Sequence, residues 1–388
     1  MAHAAHGRIA QWTPAPTEFA AMPRHVFGTL ALSVLLGVSP QASPSRDVEP
    51  HFAPWSAQHG HARPVVAVIG HNAGTELTDF VIPYAVLQRS GAVDTFAVST
   101  SPGPMQMRPA KMRLQPDLDV VGFDRRFPEG ADYVVVPAIV QSKDAALLAW
   151  IRAQHAKGAT IVSICDGALV VANTGLLKGH RATAHWATEG HRRDAYPDTD
   201  WVANTRYVID GTMASSAGIS ASIPMSLALL ESIAGRDRAE SVGAQFGVER
   251  WSSKHDSDAF HLRTGTLGPF VKVNAANKWF HGTQRLGLPL QAGIDDVSLA
   301  LTADAYSRTG RSVAYGFAAG EVRGRSGLTW LPETAAVPDA RHRIDAIPAA
   351  PGVPLFDAVL ASIDGRYGRT TAKGVALDFE YPWVPAQR

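Results

Sequence analysis

Along the first two thirds of the chain, short apolar runs alternate with stretches of helical period. The runs VVAVI (65–69), TFAV (95–98), YVVVPA (133–138) and TIVSI (160–164) lack the polar alternation of a half-exposed strand. They suit strands buried on both faces of a parallel sheet. Between them, 79–90, 143–157 and 166–173 read as helices, closed near Gly91, Gly158 and Gly175. RYVID (206–210) predicts another strand, turning at Gly211, and 220–233 a helix that stops at Gly235. After TFAV, a polar, proline-containing stretch runs to about Gly130, without a clear element. This order predicts an α/β fold, a doubly wound and mostly parallel sheet with helices on both faces. In such folds ligands gather outside the carboxyl ends of strands.

Four segments are expected. Residues 64–238 hold the α/β domain, and 239–388 an extension of different texture, rich in Trp, His and Gly. The extension contains an imperfect repeat, a degenerate half-domain at about 288–388. GTELTDFVIPYAVLQRSGAVDTFAVSTSPGPMQMRPAKMRLQPD (74–117) is echoed by GIDDVSLALTADAYSRTGRSVAYGFAAGEVRGRSGLTWLPE (293–333). The register places Arg308-Thr309-Gly310 on Arg89-Ser90-Gly91, and so Ser298 on Asp79. The second copy has no cysteine, and a packing or assembly role is expected for it. Residues 46–63 read as a linker. Ahead of it, VFGTLALSVLLGV (26–38) follows Arg24 and His25 and precedes small residues. As a helix it is about 20 Å long, too short to span a membrane comfortably. It predicts a signal peptide within 1–45, with Met22 as an alternative start, and a periplasmic or secreted protein. The alternative is a membrane anchor through 26–38.

Composition narrows the partners. The 36 basic and 35 acidic residues nearly cancel and form no basic block, so no nucleic-acid partner is expected. A single cysteine excludes an internal disulfide and any multi-cysteine zinc site. HDSDAFH (255–261) and HGTQRLGLPL (281–290) set histidines near polar residues, but they read as solvated loops rather than metal sites. GHNAGTE (70–76) lacks the Lys-Ser/Thr of a phosphate loop. Neither a cofactor nor a metal is expected; the expected partner is a small molecule.

The one thiol, Cys165, follows a buried strand and precedes Asp-Gly and a helix. That is the pattern of a nucleophile elbow. Helix N–H groups at Asp166 and Gly167 would favour a thiolate and hold a developing oxyanion, so a lowered thiol pKa is expected. The alternative is a small buried hydrophobe. His185, in ATAHW, reads either as a proton relay or as a surface imidazole beside Trp186. Asp79, in ELTDFVIP, either caps its helix or stands beside Cys165 if the first and fourth strands are neighbours.

Three ordered pieces resemble the ThiJ/PfpI family, relatives of the class I glutamine-amidotransferase fold. ELTDFVIPYAVL is similar to its acidic motif, SICDGALVVANTGLLKGHRATAHW to its cysteine elbow and histidine segment, and VIDGTMASSAGISASIPMSLALLE to its closing turn and last helix. The resemblance implies a flavodoxin-like sandwich with Cys165 as nucleophile, Asp79 as its acidic partner and His185 as the neighbouring imidazole. It also implies a homodimer. The nearest branches in motif are isonitrile-hydratase-like members and sensor domains of AraC-type regulators, although the tail shows no helix-turn-helix. Asp166 and Pro224 depart from the family pattern: Asp166 stands where small or hydroxyl residues are usual and opposes thiol ionisation, and Pro224 stands where a related helix often has Asp. Two functions stay open: a cysteine-dependent hydratase or hydrolase for a small electrophile, and a non-catalytic redox or ligand-sensing module.

Overall fold

The expected buried runs form β1 (Val65–Gly70), β2 (Asp94–Ser99), β6 (Tyr133–Val136) and β7 (Thr160–Ser163). The polar stretch to about Gly130, which carries no clear element in the sequence, is structured. It holds β3 (Met105–Arg108), β4 (Met112–Gln115) and β5 (Leu118–Asp119). In β3 and β4 the signal was a period of two over only four residues, with Met105, Met107, Met112 and Leu114 facing the core. β8 (Tyr207–Asp210) and β9 (Met213–Ser216) complete a seven-stranded sheet of order β8-β9-β7-β6-β1-β2-β5. Every pairing in it is parallel except the β8–β9 hairpin. This computed structural model describes residues 49–387 except 58 and 351. The expected leader (1–45), with its apolar run 26–38 and the Met22 start, lies outside the described residues.

On one face of the sheet lie α2 (Ala145–Ala156) and α3 (Gly167–Thr174). On the other lie α1 (Leu77–Arg89) and α4 (Ser222–Ala234), followed through Gly235 by α5 (Arg236–Gly243). Residues 49–63 are no free linker. Phe52 is buried, Trp55 Nε1 donates to Asp132 at 3.1 Å, and Glu49 accepts from Tyr207 and Ser253.

The extension builds β10 (Gln284–Pro289), α6 (Asp296–Arg308) and β11 (Ser312–Phe317), with β10 and β11 parallel. HGTQRLGLPL is therefore mostly a strand, its leucines buried, rather than a solvated loop. The helices α1 and α6 have 13 residues each and matching ends. Glu76 and Asp295 both accept the N–H three residues on, from Asp79 and Ser298. Ser90 and Thr309 both fold back to a carbonyl three residues earlier. The two helices pack on each other with reciprocal ion pairs, Arg308 to Glu76 at 2.8 Å and Arg89 to Asp295 at 2.9 Å. That is the pairing rule of an isologous two-fold interface, realised inside one chain.

The likeness continues downstream. α7 (Leu355–Tyr367), Gly368 and α8 (Arg369–Asp378) repeat α4, Gly235 and α5, with φ 87° at Gly368 against 84° at Gly235. β12 (Thr329–Leu331) pairs antiparallel with β4, stitching the two halves into one sheet. Residues 49–388 accordingly form one unit, with no break at 238. Among the described residues, no helix is long and apolar enough to cross a membrane.

Candidate functional site

Cys165 sits where β7 ends and α3 begins, at the carboxyl edge of the sheet. Its φ of 55° is unusual for a residue with a Cβ. Such a turn is strained and persists because its surroundings hold it. Its N–H donates to Ser216 Oγ of β9 at 3.3 Å. Behind the turn Gly167 must be glycine, since a Cβ there would lie 2.0 Å from the Val136 carbonyl oxygen. Gly167 also spends its N–H on Ile164 O at 2.8 Å, so it is not the expected oxyanion donor. The Asp166 N–H is the elbow donor that favours the thiolate. The Asp166 carboxylate does not cap α3; it accepts from Thr188 Oγ1 at 2.7 Å and so ties down the His185 segment.

The thiol is only 6% exposed. Burial pushes its pKa well above the usual thiol value, and Asp79, Asp166 and Glu76 push the same way. This corrects the expected lowered pKa: one N–H dipole faces desolvation and three carboxyls. Asp79 does lie near the thiol, because β6 alone separates β1 from β7. Its Oδ2 accepts from the Ala138 N–H at 3.2 Å, while its Oδ1 is buried with no hydrogen-bond partner. Burial pushes the Asp79 carboxyl up to about 8, against the Ala138 N–H and Arg308. At neutral pH it is a neutral acid with a proton to give.

The cap of α1 belongs to Glu76, not Asp79. Glu76 is fixed by Thr78 and by Arg308 from the second half, and Arg308 also binds Asp304. Burial, then Asp304 and Asp79, push Glu76 well above the usual carboxyl range. Asp79 supplies a testable pH dependence. Its folded pKa of about 8 exceeds its unfolded value of about 3.9, so the folded chain holds a proton that the unfolded chain has lost. That contribution is full below about pH 4 and is lost as pH rises through about 8. The urea midpoint is expected to fall from about pH 5 to about pH 8, and to fall less in Asp79→Asn. Equal slopes in the two proteins would refute this account of Asp79.

His185 is not placed as a thiol relay. Its Nε2 faces Asp378 O at 3.0 Å, and its Nδ1 accepts from the Ala187 N–H. Both nitrogens are committed to backbone, and the ring packs beside Trp186. Its segment is clamped by Glu380, which sequence reasoning missed. Glu380 is fully buried at φ 54°. It accepts from the Gly218 N–H at 2.7 Å, Trp186 N–H at 3.3 Å and Ser257 Oγ at 2.6 Å, and pairs with His255 Nε2 at 3.0 Å. Burial opposes its ionisation, but the His255 and Ser257 hydrogen bonds and the nearby His185 leave its carboxyl below the usual range. HDSDAFH is thus part of this anchor, not a solvated loop. Gly218 admits Glu380 and His185 where a Cβ would stand 2.6–2.7 Å from both.

This elbow, its buried acid and the sheet that carries them agree with one sequence family. Residues 65–232 match the profile of the DJ-1/PfpI family. Residues 65–232 are a DJ-1/PfpI domain. The HTH-type transcriptional regulator CdhR of Pseudomonas aeruginosa is 34% identical over 130 residues, covering 34% of this chain and 36% of the regulator. Isonitrile hydratase of Pseudomonas putida is 36% identical over 104 residues, covering 26% of this chain and 44% of the hydratase. The chain thus spans about two fifths of the length of these curated relatives. Among solved structures, Drosophila melanogaster DJ-1beta superposes with a TM-score of 0.42 at 21% identity, covering 47% of this chain and 96% of that one. The DJ-1/PfpI domain carries the elbow, Asp79 and His185; Arg308 and Glu380 come from outside it.

Proposed function

We propose that the Cys165–Asp79 pair adds water to a small electrophilic carbon of the isonitrile class. The observation that carries this reading is the neutral Asp79 carboxyl, buried within electrostatic reach of the only thiol. Sγ attacks the terminal isonitrile carbon while Asp79 gives its proton to that carbon and takes the thiol proton in exchange. A new S–C bond forms, and the pair is never charged overall in its buried site. Water then attacks the thioimidate carbon, the S–C bond breaks, the nitrogen gains a proton, and thiol and an N-substituted formamide are released. The hydratase relative supports the substrate class. His185 and Asp166 position the segment behind the elbow rather than exchange protons with substrate.

A second reading is a ligand-sensing module without turnover. It is favoured by the raised thiol pKa and by the regulator relatives. Formamide release from cyclohexyl isonitrile separates the two. Turnover is expected in the wild type, with a loss of about a thousandfold in Cys165→Ala and about a hundredfold in Asp79→Asn. Undiminished turnover in Cys165→Ala refutes the mechanism. Tight isonitrile binding without formamide supports the sensing module.

A further inference from the structure

The internal two-fold relation gives the Cys165 site a counterpart in the second half. In the shared register Asp295 takes the place of Glu76 and Ser298 that of Asp79. Where β6 flanks β1 and leads to Ala138, a parallel bridge from Arg343 to Gly287 flanks β10 and leads to Ala346. The ends are exchanged reciprocally. Asp378, the last residue of α8, and Glu380 just beyond it reach the first half's site. Ala244, Gln245 and Gly247, after α5, reach the second's, where Gly247 has φ 71° against 54° for Glu380 and packs on the Val353 carbonyl. What the second half lacks is the elbow: among the described residues, no strand lies between Ile344 and α7.

A cavity of about 470 Å³ lies at this place, lined by Ser298, Asp295, Arg325, Gln245, Ile294 and alanines including Ala346. That volume suits a small metabolite. The Ser298 side chain is 98% buried, and its Oγ has no hydrogen-bond partner. A buried hydroxyl left unpaired costs free energy unless a guest satisfies it. Asp295 is neutralised by Arg89 at 2.9 Å, and Arg325 stands 3.8 Å from the same oxygen. Arg89 also faces the neighbouring Asp296, which is hydrogen-bonded to Trp330 and to the Ser326 N–H, so Arg89 is taken up by these two acids. Arg325, only loosely paired and exposed, is the guanidinium left free to bind an anion. The remaining wall is Ile294, Pro348 and alanines, which suits a short apolar body.

We infer that this cavity is a second, non-catalytic ligand site for a small monocarboxylate whose other end hydrogen-bonds Ser298. Arg325 holds the carboxylate, Ser298 orients the far end, and the missing elbow provides the room. The site has no thiol and performs no covalent step. Its existence does not depend on whether Cys165 turns over a substrate.

Titration calorimetry with 3-hydroxybutyrate on the full chain tests it. Saturable binding is expected, weakened about tenfold for 3-hydroxybutyramide, which keeps the hydroxyl and lacks the charge, and about tenfold in Arg325→Ala and in Ser298→Ala. Ala350→Trp, at an exposed lining position, is expected to block binding. Cys165→Ala is expected to leave it unchanged. No heat up to about 10 mM, undiminished affinity in Arg325→Ala or Ser298→Ala, or loss of binding in Cys165→Ala would each overturn the assignment.

Discussion

Replacing Glu380 by alanine is expected to cost about 3–5 kcal/mol of unfolding free energy. The substitution strands the N–H groups of Trp186 and Gly218, the Ser257 hydroxyl and the His255 ring around a fully buried position. Each buried donor left unpaired costs about 1–3 kcal/mol, and partial relaxation keeps the total below the sum. Glu380→Gln keeps the acceptor oxygen and the shape, so its loss is expected to be about 1–2 kcal/mol. Urea unfolding of the three proteins at neutral pH measures both. An alanine variant within about 1 kcal/mol of wild type would show that the clamp is not a principal anchor.

The second large effect is expected at Arg308. This guanidinium is desolvated between the halves, yet Asp304 and Glu76 keep its pKa above the ordinary value. Arg308→Met keeps much of the apolar stem and removes the charge. Glu76 and Asp304 then face each other with nothing between them, and Asp79 is near. A loss of about 3–5 kcal/mol is expected at pH 7. The pH dependence identifies the cause. Without the cation, the Glu76 and Asp79 carboxyls are pushed further toward their protonated form, and the unfolded chain releases those protons above about pH 4. The deficit is therefore smallest near pH 4 and grows toward pH 8. A deficit equal at both would mean that lost packing, not charge, is responsible. Arg89→Met is the control, because Asp295 is partly solvated and needs its partner less.

The domain's fold was legible wherever a run was apolar on both sides. β1, β2, β6 and β7 fall on the expected segments because a strand covered by helices on both faces must be apolar throughout. β3 and β4 escaped because four residues of alternation carry little signal among prolines and glycines. Cys165 and Asp79 were legible as local motifs, the first at a strand end and the second in the opening turn of a helix. Glu380, Arg308 and His255 were not, since each acts on a residue more than a hundred positions away. The thiol pKa was misjudged for the same reason. A helix N-terminus is visible in the local sequence, whereas the carboxyls that oppose it arrive from other segments. The echo between 74–117 and 293–333 was legible, and so was the absence of a cysteine in its second copy. The exchange of chain ends between the copies was not, because helix-terminal turns carry no sequence label for the surface on which they land.

One consequence concerns the order of manufacture. Trp186 and Glu380 are separated by 194 residues, and Gly218 and Glu380 by 162. During translation the elbow and its sheet leave the ribosome long before the segment that clamps His185, Trp186 and Gly218. Closing contacts of such range is slow. Until Glu380 arrives, the nascent domain exposes the donors around His185 to water. The clamp on the His185 segment is therefore completed last, and a chain that stalls before residue 380 leaves the Trp186 and Gly218 N–H groups without their acceptor.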